Sequence, residues 1–378
     1  MRILLVTDLY PLENSNEPQT IKEFAKNWVA LGHQVDVIRP NFLFNTVIRK
    51  KKIFPEKTYF EDGITIYNVN CLTPFFFDIT KKLPEDFKVY NYNIVISHMP
   101  SGALFAFKLV EKCPAIPFAI SVHSSDITVL SNPIYGIYFK KRLLKAYKRA
   151  DCISARSVVL SNKIKELSPF AENKTFIAPS GVKQEIIEPQ EFFEEKASKK
   201  SSPFVITTVA KLIKRKNIDI IIKAVARTNI KDIVLKIIGD GEQKNYLKKL
   251  VEIYNLQDRV VFEGHLPNDE VLLKLRDSDL FVLVSDHETF GMAYLEAAAR
   301  ANIIIATKND GIDGIIKNDI NGFTCNPEIV ELTNLIKKVY NLSPEEKSKI
   351  LTNSRKYLIE NDDICVSKNY LEEINSFI

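Results

Sequence analysis

Short runs of apolar, often β-branched residues alternate along the chain with longer stretches whose apolar positions recur every three or four residues. In the first half the short runs are Ile3–Val6, Val35–Ile38, Ile64–Tyr67, Ile94–Ile96, Phe118–Val122, Cys152–Ala155 and Thr175–Ala178. Between the first two, Thr20 to Leu31 puts Ile21, Phe24, Ala25, Trp28 and Val29 on one helical face, and Thr20 with Glu23 has the spacing of a capping box. Strand, helix, strand in repetition predicts a parallel sheet covered by helices. The alternation breaks at Lys183 to Pro203, a polar, aperiodic stretch that predicts an interdomain linker with Ser180-Gly181 as the turn into it. It then restarts with strand Phe204–Val209, helix Asn217–Arg227, strand Ile233–Ile238, helix Glu242–Tyr254, strand Val260–Glu263, helix Asp269–Asp277, strand Leu280–Val284, helix Met292–Ala301 and strand Ile303–Thr307. The economical arrangement is α/β throughout: two doubly wound, Rossmann-like domains over residues 1–182 and 204–356. A polar break at Glu360–Asp363 precedes Val366, Tyr370, Leu371, Ile374 and Phe377 at helical spacing, so residues 357–378 are predicted to end in an apolar-faced helix.

A chain of 378 residues suits two domains, and 46% hydrophobic with 26% charged residues is globular composition. Lys+Arg 52 against Asp+Glu 47 gives a net charge of +5, too mild for a dedicated nucleic-acid binder. Cys71, Cys113, Cys152, Cys325 and Cys365 are scattered and never in a C-x-x-C pair, which reads as reduced thiols in a cytoplasmic protein. Asp8 cuts the first apolar run after Val6, so that run reads as a buried strand rather than a signal peptide. No stretch approaches the roughly 20 apolar residues of a membrane span.

Glycine is scarce, 12 in all, and seven of them lie in the second half, mostly just after a predicted strand. Ligands of open α/β sheets bind outside the carboxyl ends of the strands, which points to the second domain for a phosphate-bearing ligand. The strongest constellation there is Ser285-Asp286-His287-Glu288-Thr289-Phe290-Gly291-Met292-Ala293-Tyr294-Leu295-Glu296. Amides around Phe290, Gly291 and Met292, at a strand-to-helix turn, can face an anion. Glu288 and Glu296 can accept hydrogen bonds from sugar hydroxyls on either side of it. Either glutamate alone would be read as a solvated or helix-steadying acid; the pair around Phe-Gly shifts that balance. Lys211, Lys214, Arg215 and Lys216 follow the strand Phe204–Val209 and suit a diphosphate, against the alternative of a solvated basic loop. His123, in Val122-His123-Ser124-Ser125-Asp126, follows the strand Phe118–Val122; taken singly, such a histidine is more often structural.

These motifs resemble the retaining, nucleotide-sugar-dependent glycosyltransferases of family 4, over nearly the whole chain. The family's glutamate pair falls on Glu288 and Glu296, its Gly-Asp-Gly loop on Gly239-Asp240-Gly241, and its lysine on Lys216. Lys211 stands where the family has arginine, Ala210 where it has glycine, and Ser124 replaces a glycine after His123. The glycine pair expected after Thr7-Asp8-Leu9-Tyr10-Pro11 is replaced by Asn14-Ser15-Asn16-Glu17-Pro18. The resemblance implies a GT-B architecture, two facing Rossmann-like domains with a cleft between them, the terminal helix crossing back to the first. It implies His123 and Glu288 at the transferred sugar. It implies donor binding by Lys211, Lys216, Gly239, Gly241, Phe290, Gly291, Met292 and Glu296, with no metal and no cofactor. The implied activity is transfer of a hexose or hexosamine from a UDP- or GDP-sugar to a glycan or lipid-linked acceptor, with retention, as in bacterial surface polysaccharide assembly. A nucleotide-sugar epimerase, a sugar phosphorylase or a non-catalytic homologue on the same fold stays open at this point. His98 matches a commoner family histidine with a more structural role. Two basic stretches, Arg49 to Phe54 and Phe139 to Arg149, raise the prospect of contact with the inner face of an anionic membrane. The second stretch, with six basic residues in eleven, offers Leu143, Leu144 and Tyr147 as an apolar side.

Overall fold

Strand β1 (Arg2–Val6) shows how the first half is built: all of Ile3, Leu4, Leu5 and Val6 are buried, odd positions under one layer of helices and even positions under the other. The computed structural model describes residues 1–11, 19–42, 57–71, 83–85, 87–132 and 139–378. The Asn14–Pro18 loop and the Arg49–Phe54 basic stretch lie outside the described residues. Two units divide the chain, one of Met1–Pro179 with Asp363–Ile378 and one of Ser180–Asp362.

The first unit carries β2 (Gln34–Phe42), β3 (Lys57–Glu61), β4 (Ile64–Cys71), β5 (Ile94–His98), β6 (Phe118–Val122), β7 (Cys152–Ala155) and β8 (Thr175–Ile177), ordered β3-β4-β2-β1-β5-β6-β7-β8. All described neighbours pair parallel except β3, which hairpins onto β4 through Asp62-Gly63, both at positive φ. The helix Thr20–Ala30 begins one residue earlier than a Thr20–Glu23 capping box requires. Its N-cap is Gln19, and no side chain caps it. Against this helix lies the helix Asp363–Asn375, with Tyr370 stacked on Trp28 at 5.6 Å and Ser367 O accepting from Trp28 Nε1 at 3.0 Å. The helix Lys141–Arg149 turns Leu143 and Tyr147, both fully buried, into the core. Leu144 is only partly buried, and the cations of the helix lie at its surface.

The second unit holds β9 (Phe204–Val209), β10 (Ile233–Ile238), β11 (Val260–Gly264), β12 (Leu280–Leu283), β13 (Ile303–Thr307) and β14 (Phe323–Cys325), ordered β11-β10-β9-β12-β13-β14 and parallel throughout. The predicted linker differs from what is observed. It contains the helix Gln190–Ser198, whose Phe193 and Ala197 are buried in the second core beside the helix Pro344–Glu360. The other sides of that short helix are polar, which masked its period. Residues 357–360 likewise form the last turn of Pro344–Glu360, with Leu358 buried in the same core, so the return to the first unit comes at Asp362/Asp363. No helix among the described residues is long and apolar enough to cross a membrane.

Candidate active site

In the second unit the loops after β9, β12 and β13 converge on Glu288. After β9 the chain runs through Lys211 and a short turn Lys214–Lys216, then enters the helix Ile218–Thr228 by way of Asn217, which is left-handed at φ 52. Asn217 Nδ2 donates to Val284 O at 2.9 Å, and Asp286 N donates to Arg215 O at 2.7 Å. These two bonds stitch the basic loop to the end of β12. Lys216 Nζ thereby ion-pairs with Glu288 Oε1, and Arg215 Nη1 lies 3.4 Å from the same oxygen. From the third loop, Asp310 Oδ2 accepts from Glu288 N at 2.9 Å. Burial, with Arg215 alongside, pulls the Lys216 ammonium down to about 8, while burial pushes the Asp310 carboxyl up to about 6.

The helix Met292–Ala299 starts from Gly291 at φ 92, where a Cβ would lie 2.5 Å from the Tyr294 ring, and no side chain caps its first turn. The uncapped amides are what an anion needs. Phe290 is buried in the core, so its side chain supports the turn and only its backbone is left for a ligand; Met292 packs partly against the same core. Glu296, one turn on, is half-buried, and burial raises its carboxyl above the ordinary range. No described residue donates a hydrogen bond to it or pairs with it. A largely enclosed carboxylate without a partner is a site waiting for donors.

Gly239 and Gly241 are positions where a side chain has no room. At Gly239, φ is +132 and a Cβ would meet Ala210 O at 1.9 Å; at Gly241 it would meet Leu212 O at 2.4 Å. The loop after β10 thus lies directly on the loop that carries Lys211, which itself is exposed. Gly239 and Gly241 set the height of Lys211. Among the described residues no cluster of three or more histidines, cysteines or carboxylates is placed to hold a metal, and the five cysteines are free.

His123 belongs to the first unit. It caps the helix Ser124–Ser131, and its backbone N–H donates to Asp126 Oδ2 at 2.9 Å. Asp126, fully buried, also accepts from Tyr147 Oη at 2.7 Å, and burial pushes its carboxyl up to about 7. The His123 ring meets His98, Nε2 to Nδ1, at 3.2 Å. Burial, reinforced by Arg156, lowers His123 to about 3, so the ring is neutral at working pH. Sequence reasoning brought out His123, Glu288, Glu296 and Lys216. It passed over Arg215 and Asp310 as partners of Glu288 and Arg156 as the charge beside His123, since those contacts join loops far apart in sequence. The run Asp310-Gly311 after a strand was the available signal for Asp310.

Comparison with known proteins follows this division. A family model described as Glycosyltransferase Family 4 matches residues 19–186, and one described as Glycosyl transferases group 1 matches residues 189–361. N-acetyl-alpha-D-glucosaminyl L-malate synthase of Bacillus anthracis is 25% identical over 338 residues, 86% of this chain and 84% of the relative. Among solved structures, sucrose-phosphate synthase of Thermosynechococcus elongatus superposes with a TM-score of 0.74 at 16% identity, covering 99% of this chain and 98% of the other. HepE of Anabaena, solved with UDP, superposes with a TM-score of 0.74 at 16% identity and complete coverage of both chains.

Proposed function

The chain is a GT-B-fold member of the glycosyltransferase superfamily, and from that premise we propose that it is a retaining transferase of family 4. In this reading it moves a hexose or hexosamine from a nucleoside diphosphate sugar to a glycan or lipid-linked acceptor. The observation that carries the reading is Glu296: a half-buried carboxylate with no partner among the described residues, in the second turn of a helix whose N-terminus is uncapped. A carboxylate in that position accepts hydrogen bonds from two vicinal hydroxyls, the chemistry of a ribose, while the amides at Gly291 donate to phosphate oxygens.

The roles of the other residues follow. When the bond between the anomeric carbon and the diphosphate oxygen breaks, negative charge grows on the leaving phosphate. In this reading Lys216, Lys211 and the amides near Gly291 are the cationic or dipolar groups that stabilise it. Binding of the diphosphate competes with Glu288 for Lys216, which frees the Glu288 carboxylate for hydroxyls of the transferred sugar. His123, neutral, supplies a hydrogen-bonding edge to that sugar. The acceptor hydroxyl oxygen forms the new bond to the anomeric carbon, and its proton passes to the departing diphosphate.

UDP is the nucleotide we favour, because the Anabaena neighbour is described as a complex with UDP. A thermal-shift screen of UDP-, GDP- and ADP-sugars on the full chain tests this. A UDP-sugar at 100 times its Kd should stabilise the donor-holding unit by about 2.7 kcal/mol. No shift with any nucleotide sugar would overturn the reading.

A further inference from the structure

His98 ends β5 and pairs in register with Ser121 of β6, two residues before His123. Three observations converge on it. First, its side chain is 3% exposed and gives Nδ1 to His123 Nε2 at 3.2 Å, with the rings tilted by 51°. Second, its remaining ring nitrogen, Nε2, is buried without a hydrogen-bond partner. Among the described residues, the one hydrogen-bonding partner of the His98 side chain is thus His123. Third, the backbone is held in an unusual path: Met99 has φ 69, and Pro100 follows in the first turn of the helix Met99–Val110. Gly102 of that helix lies so close to β1 that a Cβ would be 2.6 Å from Val6 O. A left-handed methionine is strained and persists only where its surroundings enforce it. Here the enforced path aims one imidazole at another.

We propose that His98 is a positioning residue for the sugar-facing histidine: by engaging Nε2 of His123 it fixes the orientation and tautomer of that ring. Two imidazoles at this separation share one hydrogen, so whichever ring donates, the state of one sets the state of the other. With Nε2 occupied, Nδ1 is the His123 ring nitrogen not committed to another side chain. The transferred sugar then meets one defined edge of the ring rather than two exchanging ones. Pre-orientation of this kind matters because a group displaced by an ångström loses most of its effect on a transition state. The inference rests on the reading of His123 given under the proposed function.

The test uses the free, full-length protein with 15N-labelled histidine, so it stands apart from the donor screen. An inactive protein with a fixed His123 ring would sink the transferase reading alone. In the wild type, His123 should show one protonated and one unprotonated ring nitrogen, well separated in 15N shift. His98→Leu should collapse these toward a common, averaged value. His98→Asn, whose amide occupies the place of Nδ1, should restore the separation, and His98→Gln, whose amide reaches one bond further, should not. The Asn and Gln variants are both polar, so the comparison survives even if the leucine variant does not fold. Wild-type His123 signals in His98→Leu, or equal behaviour of the Asn and Gln variants, would overturn the proposal.

Discussion

Lys216 is the residue at which charge, burial and function meet most directly. It is 9% exposed, bound to Glu288 and flanked by Arg215, and its ammonium is held near 8 where a free lysine sits near 10.4. Only the ammonium attracts a diphosphate. UDP affinity should therefore be full below pH 7 and fall as pH rises through about 8, by up to about tenfold at pH 9. Lys216→Arg keeps its charge at every accessible pH and should flatten the dependence. Calorimetric titration of UDP at pH 7 and pH 9 reads both, and a flat wild-type profile would count against Lys216 as a phosphate ligand. The stability term has the same origin and a separate sign. A lysine whose folded value lies below its unfolded one binds fewer protons when folded, so this residue makes the fold more stable as pH rises from about 8. Weaker binding at high pH would therefore not be a trace of unfolding.

At the scale of elements, the loops are as closely fitted as the core. The loop after β10 rests backbone to backbone on the loop after β9, and Gly239 is the point where nothing larger than hydrogen fits. Gly239→Ala adds a methyl group at 1.9 Å from Ala210 O on a backbone at φ +132, and should cost at least about 2 kcal/mol in urea unfolding. A loss below about 0.5 kcal/mol would mean that the two loops part easily. Strands of this kind were legible because buried parallel strands are continuous β-branched runs: β1, β6, β7, β9, β10 and β13 all read directly. The strands β3 and β14 were not, since β3 is an edge strand with alternating polar residues and β14 has only three. The helix Gln190–Ser198 was hidden for a related reason. Its buried stripe is Phe193 and Ala197, too short to stand out against glutamates and lysines. The amphipathic pattern of the basic helix Lys141–Arg149 is real, and Leu143 and Tyr147 of its apolar side are buried in the core of its own unit.

At the scale of the whole molecule, the chain passes between units at Pro179/Ser180 and returns at Asp362/Asp363. On the second unit's side these passages touch: a Cβ on Gly181 would lie 2.6 Å from Asn361 O and closer still to Asp362. The sequence marked Ser180-Gly181 as a turn. Its glycine is instead required by that close approach, which no local pattern announces. The same limit applies to the site. The candidate residues stood out by their spacing after strands, whereas the partners of Glu288 come from loops about seventy residues before it and about twenty after. Each unit has its own core, so a ligand held by the second should act on that unit. The central claim is that a nucleotide occupies the end of this sheet with Glu296 on its ribose. Calorimetric titration of UDP into the wild type and Glu296→Gln tests it most directly. Losing hydrogen bonds to a charged acceptor costs about 1.5–3 kcal/mol, so affinity should drop by roughly ten- to a hundredfold. Equal UDP affinity in the two proteins, or no UDP binding to the wild type, would contradict the account.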